Sequence, residues 1–187
     1  MRAVTHFIEK KMKLVVNQEK SKVRVAKQTK FLGMTIFLGM IVISAQAMGK
    51  AMDKVEELTK RRTNIPIEKS IKEINKWYKG WSSYFSMTQY PSQFATVEAH
   101  IRRRLRTRLL RNMKRKRTIA KEYIKAGVKK GTAWKTAYSN KKWWALSHTR
   151  ATEIKFSNRW FEQQGLYIRS KEEQAHWFDV KEWIKIT

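Results

Sequence analysis

Between Ile101 and Arg117 the chain carries Arg102, Arg103, Arg104, Arg106, Arg108, Arg111, Lys114, Arg115, Lys116 and Arg117 with no Asp or Glu among them. Phe94, Val97, Ile101, Leu105 and Leu109 recur through the same region at helical spacing, which makes one apolar stripe. The pattern predicts a single helix across Tyr90–Arg117, opened by Pro91 and Ser92, since Pro tolerates the first turn and Ser caps free N–H groups. On that helix Arg104, Arg108, Arg111 and Arg115 share a face beside the stripe. Like charges at this spacing repel one another. A helix so charged is expected to lie against a polyanion, and the pattern favours nucleic acid over a merely solvated basic face.

The rest of the composition agrees. Lys and Arg total 42 against 15 Asp and Glu, a formal charge of +27, which draws phosphate backbones or anionic surfaces and discourages self-association. A basic disordered tail would be poor in aromatic residues, whereas this chain has 8 Trp, 6 Tyr and 8 Phe among 42% hydrophobic residues. A folded basic protein of one domain, or two small ones, fits the 187 residues. Without cysteine there are no disulfides or thiolate metal sites. His6, His100, His148 and His176 show no ligand spacing, so no metal and no cofactor are expected. The N-terminal stretch contains Glu9 and lacks a clean apolar segment, so no signal peptide is read and a cytoplasmic location is expected.

One stretch competes with that reading. Phe31 to Gly49 is uncharged and long enough to span a membrane. Gly33, Thr35, Gly39, Ser44 and Gln46 interrupt it, and its β-branched residues suit strands. Two buried strands near Phe31–Phe37 and Met40–Ser44, breaking at Leu38-Gly39, are preferred to a membrane helix.

In order, residues 1–14 read as a short helix with Val4, Phe7 and Ile8 facing inward, and Val23–Ala26 as a strand. From Gly49 onward the pattern is helical. Lys50–Arg62 comes first, then a helix capped by Thr63 or Asn64 with Pro66 in its first turn. Its seam runs Ile67, Ile71, Ile74, Tyr78, Trp81 and Phe85. Gly80 inside it costs about 1 kcal/mol relative to Ala, which a close neighbouring backbone or nucleic-acid strand would explain. Thr118–Ala126, Gly131–Tyr138 and Thr149–Phe161 follow as helices, with Ser139–Trp144 as a loop. Ser170 and Glu173 make a capping box for an amphipathic tail containing Trp177, Phe178, Val180, Trp183 and Ile184.

Catalytic signatures are missing. There is no Walker loop, no nucleophile elbow and no paired acidic motif, and Asp53 and Asp179 are the only aspartates. Binding features are richer. Trp77, Trp81, Tyr84, Trp134, Trp143 and Trp144 are interleaved with Lys76, Lys79, Lys135, Lys141 and Lys142, an arrangement that can stack bases and hold phosphates. Core packing is the better reading for Trp77 and Trp81, while base stacking and packing stand level for Lys141–Trp144.

Several short motifs, taken in order, resemble the reverse transcriptase/maturase proteins of group II introns. EKSKV at Glu19–Val23 followed by KFLGMTI at Lys30–Ile36 resembles the end of that family's palm. NKWYKGWSSYF (Asn75–Phe85) is similar to its thumb, the maturase X domain, and HIRRRLRTRLLRNMKRKRT (His100–Thr118) to its second arginine-rich segment. Gly127, Ala133–Ser139, Trp143-Trp144 and Gly165-Leu166 follow the domain's C-terminal part. The likeness covers roughly residues 10 to 168. It implies a protein that binds its intron RNA and helps it splice, and that in full-length form copies RNA into DNA. The family's Tyr-Ala-Asp-Asp strand, its fingers, most of its palm and its His/Cys endonuclease are not in these residues, so neither polymerisation nor DNA cleavage is expected of this chain alone.

These readings together predict a mainly α (α+β) chain. Residues 1–48 are expected to be a small antiparallel β remnant of a palm, 49–168 a helical thumb/maturase bundle and 169–187 the tail. Ile71, Ile74, Trp77, Trp81, Phe85, Ile101, Leu105 and Leu109 are the expected core. The ten cations of the central stretch, with Lys141, Lys142 and Trp143, are the expected RNA contacts. The expected partner is group II intron RNA, or an RNA/DNA template-primer, with a separate fingers/palm chain as a further possibility. The rival reading is the C-terminal part of a split RNA-directed DNA polymerase.

Overall fold

Glycine and serine decide where strand gives way to helix in the N-terminal quarter. In a computed structural model, which describes residues 2–17, 19, 21, 25, 29–60 and 64–169, three short strands form an antiparallel sheet. They are β1 (Lys30–Phe31), β2 (Met34–Phe37) and β3 (Met40–Ile43), in the order β1-β2-β3. Gly33 and Gly39 take φ of +78° and +79° in the two tight turns, a conformation open to glycine at no steric cost. Register pairs Met34 with Ile43 and Phe37 with Met40. The hairpin break at Leu38-Gly39 falls where the sequence put it. The predicted strand near Val23 lies outside the described residues.

The strands are only partly buried, where buried strands were expected. Val42 and Ile43 are buried, but Phe31, Ile36 and Phe37 are exposed. The free edge of β3 is closed by side chains. Gln89 and Gln93 accept from the Ile41 and Ile43 amides at 2.8 Å each, Gln93 Nε2 donates to Ile43 O at 2.8 Å, and the Gln89 amide donates to Ile41 O at 2.8 Å. Two glutamines thus stand in for a fourth strand and satisfy an edge that would otherwise invite pairing.

Ser44 then caps α2 (Ala45–Leu58), its hydroxyl accepting from the Ala47 amide. The switch to helix therefore comes four residues before Gly49. The uncharged run ends inside this helix, and among the described residues no helix is long and apolar enough to cross a membrane. α3 (Ile67–Tyr84) starts directly after Pro66, without a side-chain cap bond; Thr63 lies outside the described residues. α4 (Ser92–Asn112) is followed by α5 (Lys116–Lys125), α6 (Lys130–Ala137), α7 (Trp143–Leu146), α8 (Arg150–Lys155) and α9 (Asn158–Gln163). α1 (Arg2–Lys10) precedes the sheet, and its Val4 and Phe7 are 63% and 52% exposed rather than facing inward. The tail at 170–187 and its capping box lie outside the described residues.

Two predicted helices are each broken in two. The helix read to Arg117 stops at Asn112, and Lys114 turns the chain with φ +53° before α5 begins. Beyond the turn Ile119, Ala120 and Tyr123 are buried in the core. The helix read across Thr149–Phe161 breaks at Phe156-Ser157, where Ser157 caps α9 by accepting from the Trp160 amide.

The core is centred on α4. Val97, Ile101, Leu105 and Leu110 are buried there against Ile71, Ile74 and Tyr78 of α3, Val55 of α2, and Tyr123, Phe156 and Phe161 beyond. Trp77, Trp81 and Leu109 pack on this cluster partly buried, while Phe85 joins a second one with Ile43 and Phe94. Trp81 stacks on Tyr78 at 6.1 Å and meets Phe94 edge-on at 5.7 Å, so packing rather than base stacking occupies it. Gly80 lies exposed on α3, and a Cβ built there meets nothing within 4 Å. No neighbouring backbone among the described residues explains it. Gly80→Ala is expected to raise stability by about 0.5–1 kcal/mol, read from urea unfolding midpoints; a loss would mean that the site is constrained in the folded chain.

Candidate nucleic-acid interface

Three of the central arginines are consumed inside the fold. Arg104 donates through Nε to Thr59 Oγ1 (3.0 Å), through one terminal nitrogen to Glu56 Oε1 (2.6 Å) and through the other to Glu56 O (3.2 Å). It thereby places a cation at the C-terminal end of α2, where the helix dipole favours it. Two residues on and on the opposite side of α4, Arg106 donates through Nε to Phe156 O at 2.9 Å, at the end of α8, with Glu153 at 3.9 Å. Arg108 is fully buried and donates to Ser70 Oγ (2.7 Å) and to the carbonyl of Ile65, at the start of α3. Burial pushes the Arg106 and Arg108 guanidinium groups below their ordinary range. Each side chain ties α4 to a terminus of another helix. The expectation of a free guanidinium ridge is corrected accordingly: Arg104 and Arg108 are withdrawn from the contact set, and Arg106 only reaches the wall of a cleft.

What remains open lies on the other flank of α4. A cleft of about 710 Å³ is walled by Arg102, Arg103, Arg106, His100, His148, Glu153 and Arg159. A second, of about 590 Å³, shares Arg103 and His148 with it and adds Lys135, Lys141 and Arg150. A third, of about 360 Å³, shares Ser139 and Lys141 with the second and adds Lys116, Lys142, Trp143 and Trp144. The shared residues join the three into one track. Arg102, Arg103, Arg106, Arg159, Lys135, Arg150, Lys141, Lys142 and Lys116 line it, with Glu153 as the sole lining carboxylate. A groove lined by one sign of charge focuses its field on an incoming polyanion.

Within the track the Arg103 guanidinium lies 4.1 Å over the Trp144 ring, and His100 meets the same ring edge-on at 5.9 Å. Arg103 also donates to Trp144 O at 3.4 Å, which holds α7 against α4. Arg103 Nε and His100 Nε2 are buried there with no hydrogen-bond partner among the described residues. Burial, with the Arg104 cation close by, holds the His100 imidazole below its usual range. Trp143 is partly buried and packs on the core, so it forms a wall more than a free stacking surface. Lys141 and Lys142 are exposed, as are Lys114, Arg115, Lys116 and Arg117 at the α4–α5 turn. Of these four only Lys116 lines the track, and Arg111 and Lys114 stand outside it. Sequence reasoning missed Arg150, Arg159 and the two histidines. Arg150 and Arg159 are interspersed with neutral residues and Glu153, so no run marks them; Lys135 was visible only as a cation beside Trp134.

The Asn75–Phe85 motif has a structural task. Asn75 Nδ2 donates to Gly165 O (2.7 Å) and its Oδ1 accepts from the Tyr167 amide (2.8 Å), which pins the segment after α9 across α3. Tyr78 donates to Glu98 Oε1 at 2.7 Å, and the Arg169 amide donates to the same oxygen at 3.0 Å. Burial first, and the Glu98 charge second, push the Tyr78 hydroxyl well above its ordinary pKa. An unfolded tyrosine ionises near pH 10 while this one stays neutral, so its contribution is whole below about pH 10 and declines as pH rises beyond it. The stability gap between the protein and Tyr78→Phe is expected to shrink by about 1.4 kcal/mol per pH unit above 10, followed by urea unfolding between pH 9 and 11. A pH-independent gap would contradict this reading of Tyr78.

Among the described residues no three His, Asp or Glu side chains come together to hold a metal. The comparisons with known proteins agree with the fold's helical centre. A family model described as group II intron, maturase-specific domain matches residues 48–125, which run from α2 through α5. No curated protein matches the chain.

Proposed function

We propose that this chain, a group II intron maturase by its residues 48–125, binds structured intron RNA along the basic track and steadies the folded form that splices. The observation that carries this is the track itself, three adjoining clefts lined by nine cations and one carboxylate. Arginine and lysine lined up along a groove neutralise successive phosphates and release counterions, a sequence-independent source of affinity. The fork of Arg103, already held over the Trp144 ring, is ordered before RNA arrives, so less freedom is lost when it meets a phosphate.

The buried arginines serve the same end indirectly. Arg104 and Arg106 tie α2 and α8, which carry the wall residues Met52 and Glu153, to α4, while Arg108 secures α3 behind it. Splicing assistance then follows from binding alone: a ligand that prefers the folded RNA shifts its equilibrium by mass action, with no bond-making by the protein.

Ultraviolet crosslinking of the full chain to a structured group II intron RNA, with the adducts mapped by mass spectrometry, tests this. Adducts are expected at Trp143, Trp144, Lys141 and His148. Adducts confined to the outward side of α3, around Lys72, Lys76 and Lys79, would overturn it.

A further inference from the structure

Between the sheet and the C-terminal end of α3 lies a fourth cleft, of about 310 Å³, that the track does not explain. Phe31, Leu32, Ile36, Ile41, Tyr84 and Met87 are its principal walls, and almost no polar surface lines it. Phe31 is 73% exposed, Leu32 65%, Tyr84 58% and Met87 50%. An apolar concavity of this kind on a strongly charged protein marks a place where something docks. Tyr84 donates to Leu32 O at 3.2 Å, so the cleft is held in shape rather than collapsed.

We infer that residues 170–187 of this chain dock in this cleft. The first argument is where the described chain leaves off. Arg169 is buried, donates to Ser82 O at 2.7 Å and lies 4.6 Å over the Phe94 ring, so it is anchored two residues along α3 from Tyr84. The eighteen residues that follow reach about 27 Å as a helix and further if extended, enough to lie along the cleft from that anchor. The second is chemistry. Trp177, Val180, Trp183 and Ile184 recur at three- and four-residue spacing and would share one apolar face. The third is charge. The segment holds Glu172, Glu173, Asp179 and Glu182 against Lys171, Lys181 and Lys185, so it is the part of this chain least repelled by the basic body. A second copy of the chain, at +27, brings like charge to the same face and is disfavoured. The amphipathic α1 is described elsewhere, its Val4 and Phe7 in solvent.

The inference is independent of RNA binding, and so is its test. A benzoylphenylalanine placed at Ile36, 40% exposed on β2, is photolysed in the dilute full-length protein, and products of monomer mass are mapped by mass spectrometry. The same group placed at Ser139, in the basic track, is the comparison. Adducts from position 36 to residues 170–187 are expected, with their yield falling about tenfold in the Trp177→Ala/Trp183→Ala double variant as its apolar face is lost. Adducts to residues 2–10, adducts only in a dimer, tail adducts from position 139 alone, no adduct, or a yield indifferent to the double substitution would each overturn it.

Discussion

Arg108→Ala lowers the stability of the folded chain by about 3–4 kcal/mol, the largest single effect expected of any residue in the basic stretch. Two losses add. The Ser70 hydroxyl and the Ile65 carbonyl lose the donors that hold the start of α3 against α4. A fully buried side chain of large volume is also replaced by a methyl group, which leaves a cavity between those helices. Opposing them is the cost of burying a guanidinium, which the substitution recovers. Arg108→Met separates the terms, because it fills the space without donating. It is expected to cost only about 1–2 kcal/mol, the part owed to hydrogen bonding after the desolvation term has been regained. Urea unfolding monitored by tryptophan fluorescence gives both values, and the alanine variant's melting temperature should fall by roughly 6–15 °C. If Arg108→Ala leaves the midpoint unchanged and weakens RNA binding instead, the arginine faces RNA and its placement inside the core is wrong.

The opposite behaviour is expected of the track. Lys135, Lys141 and Arg150 are exposed and line the middle cleft. Replacing all three by glutamine should move the unfolding midpoint little, since exposed substitutions away from caps and cores change stability by about 0.5 kcal/mol or less each. Affinity for structured intron RNA at low salt should nevertheless fall by roughly 10²–10³, as three charge-assisted contacts of about 1–1.5 kcal/mol each disappear. Filter binding gives the affinity and thermal melting the stability. A triple variant that binds as tightly as the parent would remove the middle cleft from the interface. The two variants thus form a double dissociation between an arginine of the central basic stretch and cations that lie beyond it in sequence.

That dissociation is also where reading the sequence reached its limit. Charge patterning registered that nothing acidic stands between Ile101 and Arg117, and inferred a missing counterion. Arg106 and Arg108 are answered mainly by a carbonyl oxygen and a hydroxyl-carbonyl pair, which carry no formal charge; Arg104 is answered by Glu56, 48 residues away. No local pattern reports such partners. The apolar periodicity fared better, because Ile71, Ile74, Ile101 and Leu105 are buried as their spacing required, and Leu110, off the predicted stripe, is the addition. Breaks at Lys114 and Ser157 escaped notice since neither glycine nor proline marks them, and it is tertiary packing that decides both. Ser44 was a legible cap, hidden by a run of β-branched residues leading up to it. The track was half visible: Arg102, Arg103, Lys116, Lys141 and Lys142 came from charge runs, whereas Arg150 and Arg159 entered through the fold alone.

The central claim is that phosphates lie along a continuous groove of cations, and its most direct test is how affinity for intron RNA responds to salt. If about six of the lining cations reach phosphates on single-stranded segments, log K against log[salt] for the unmodified chain falls with a slope near −4. A slope close to zero across 50–200 mM salt would contradict the account, because counterion release on phosphate contact leaves no other signature.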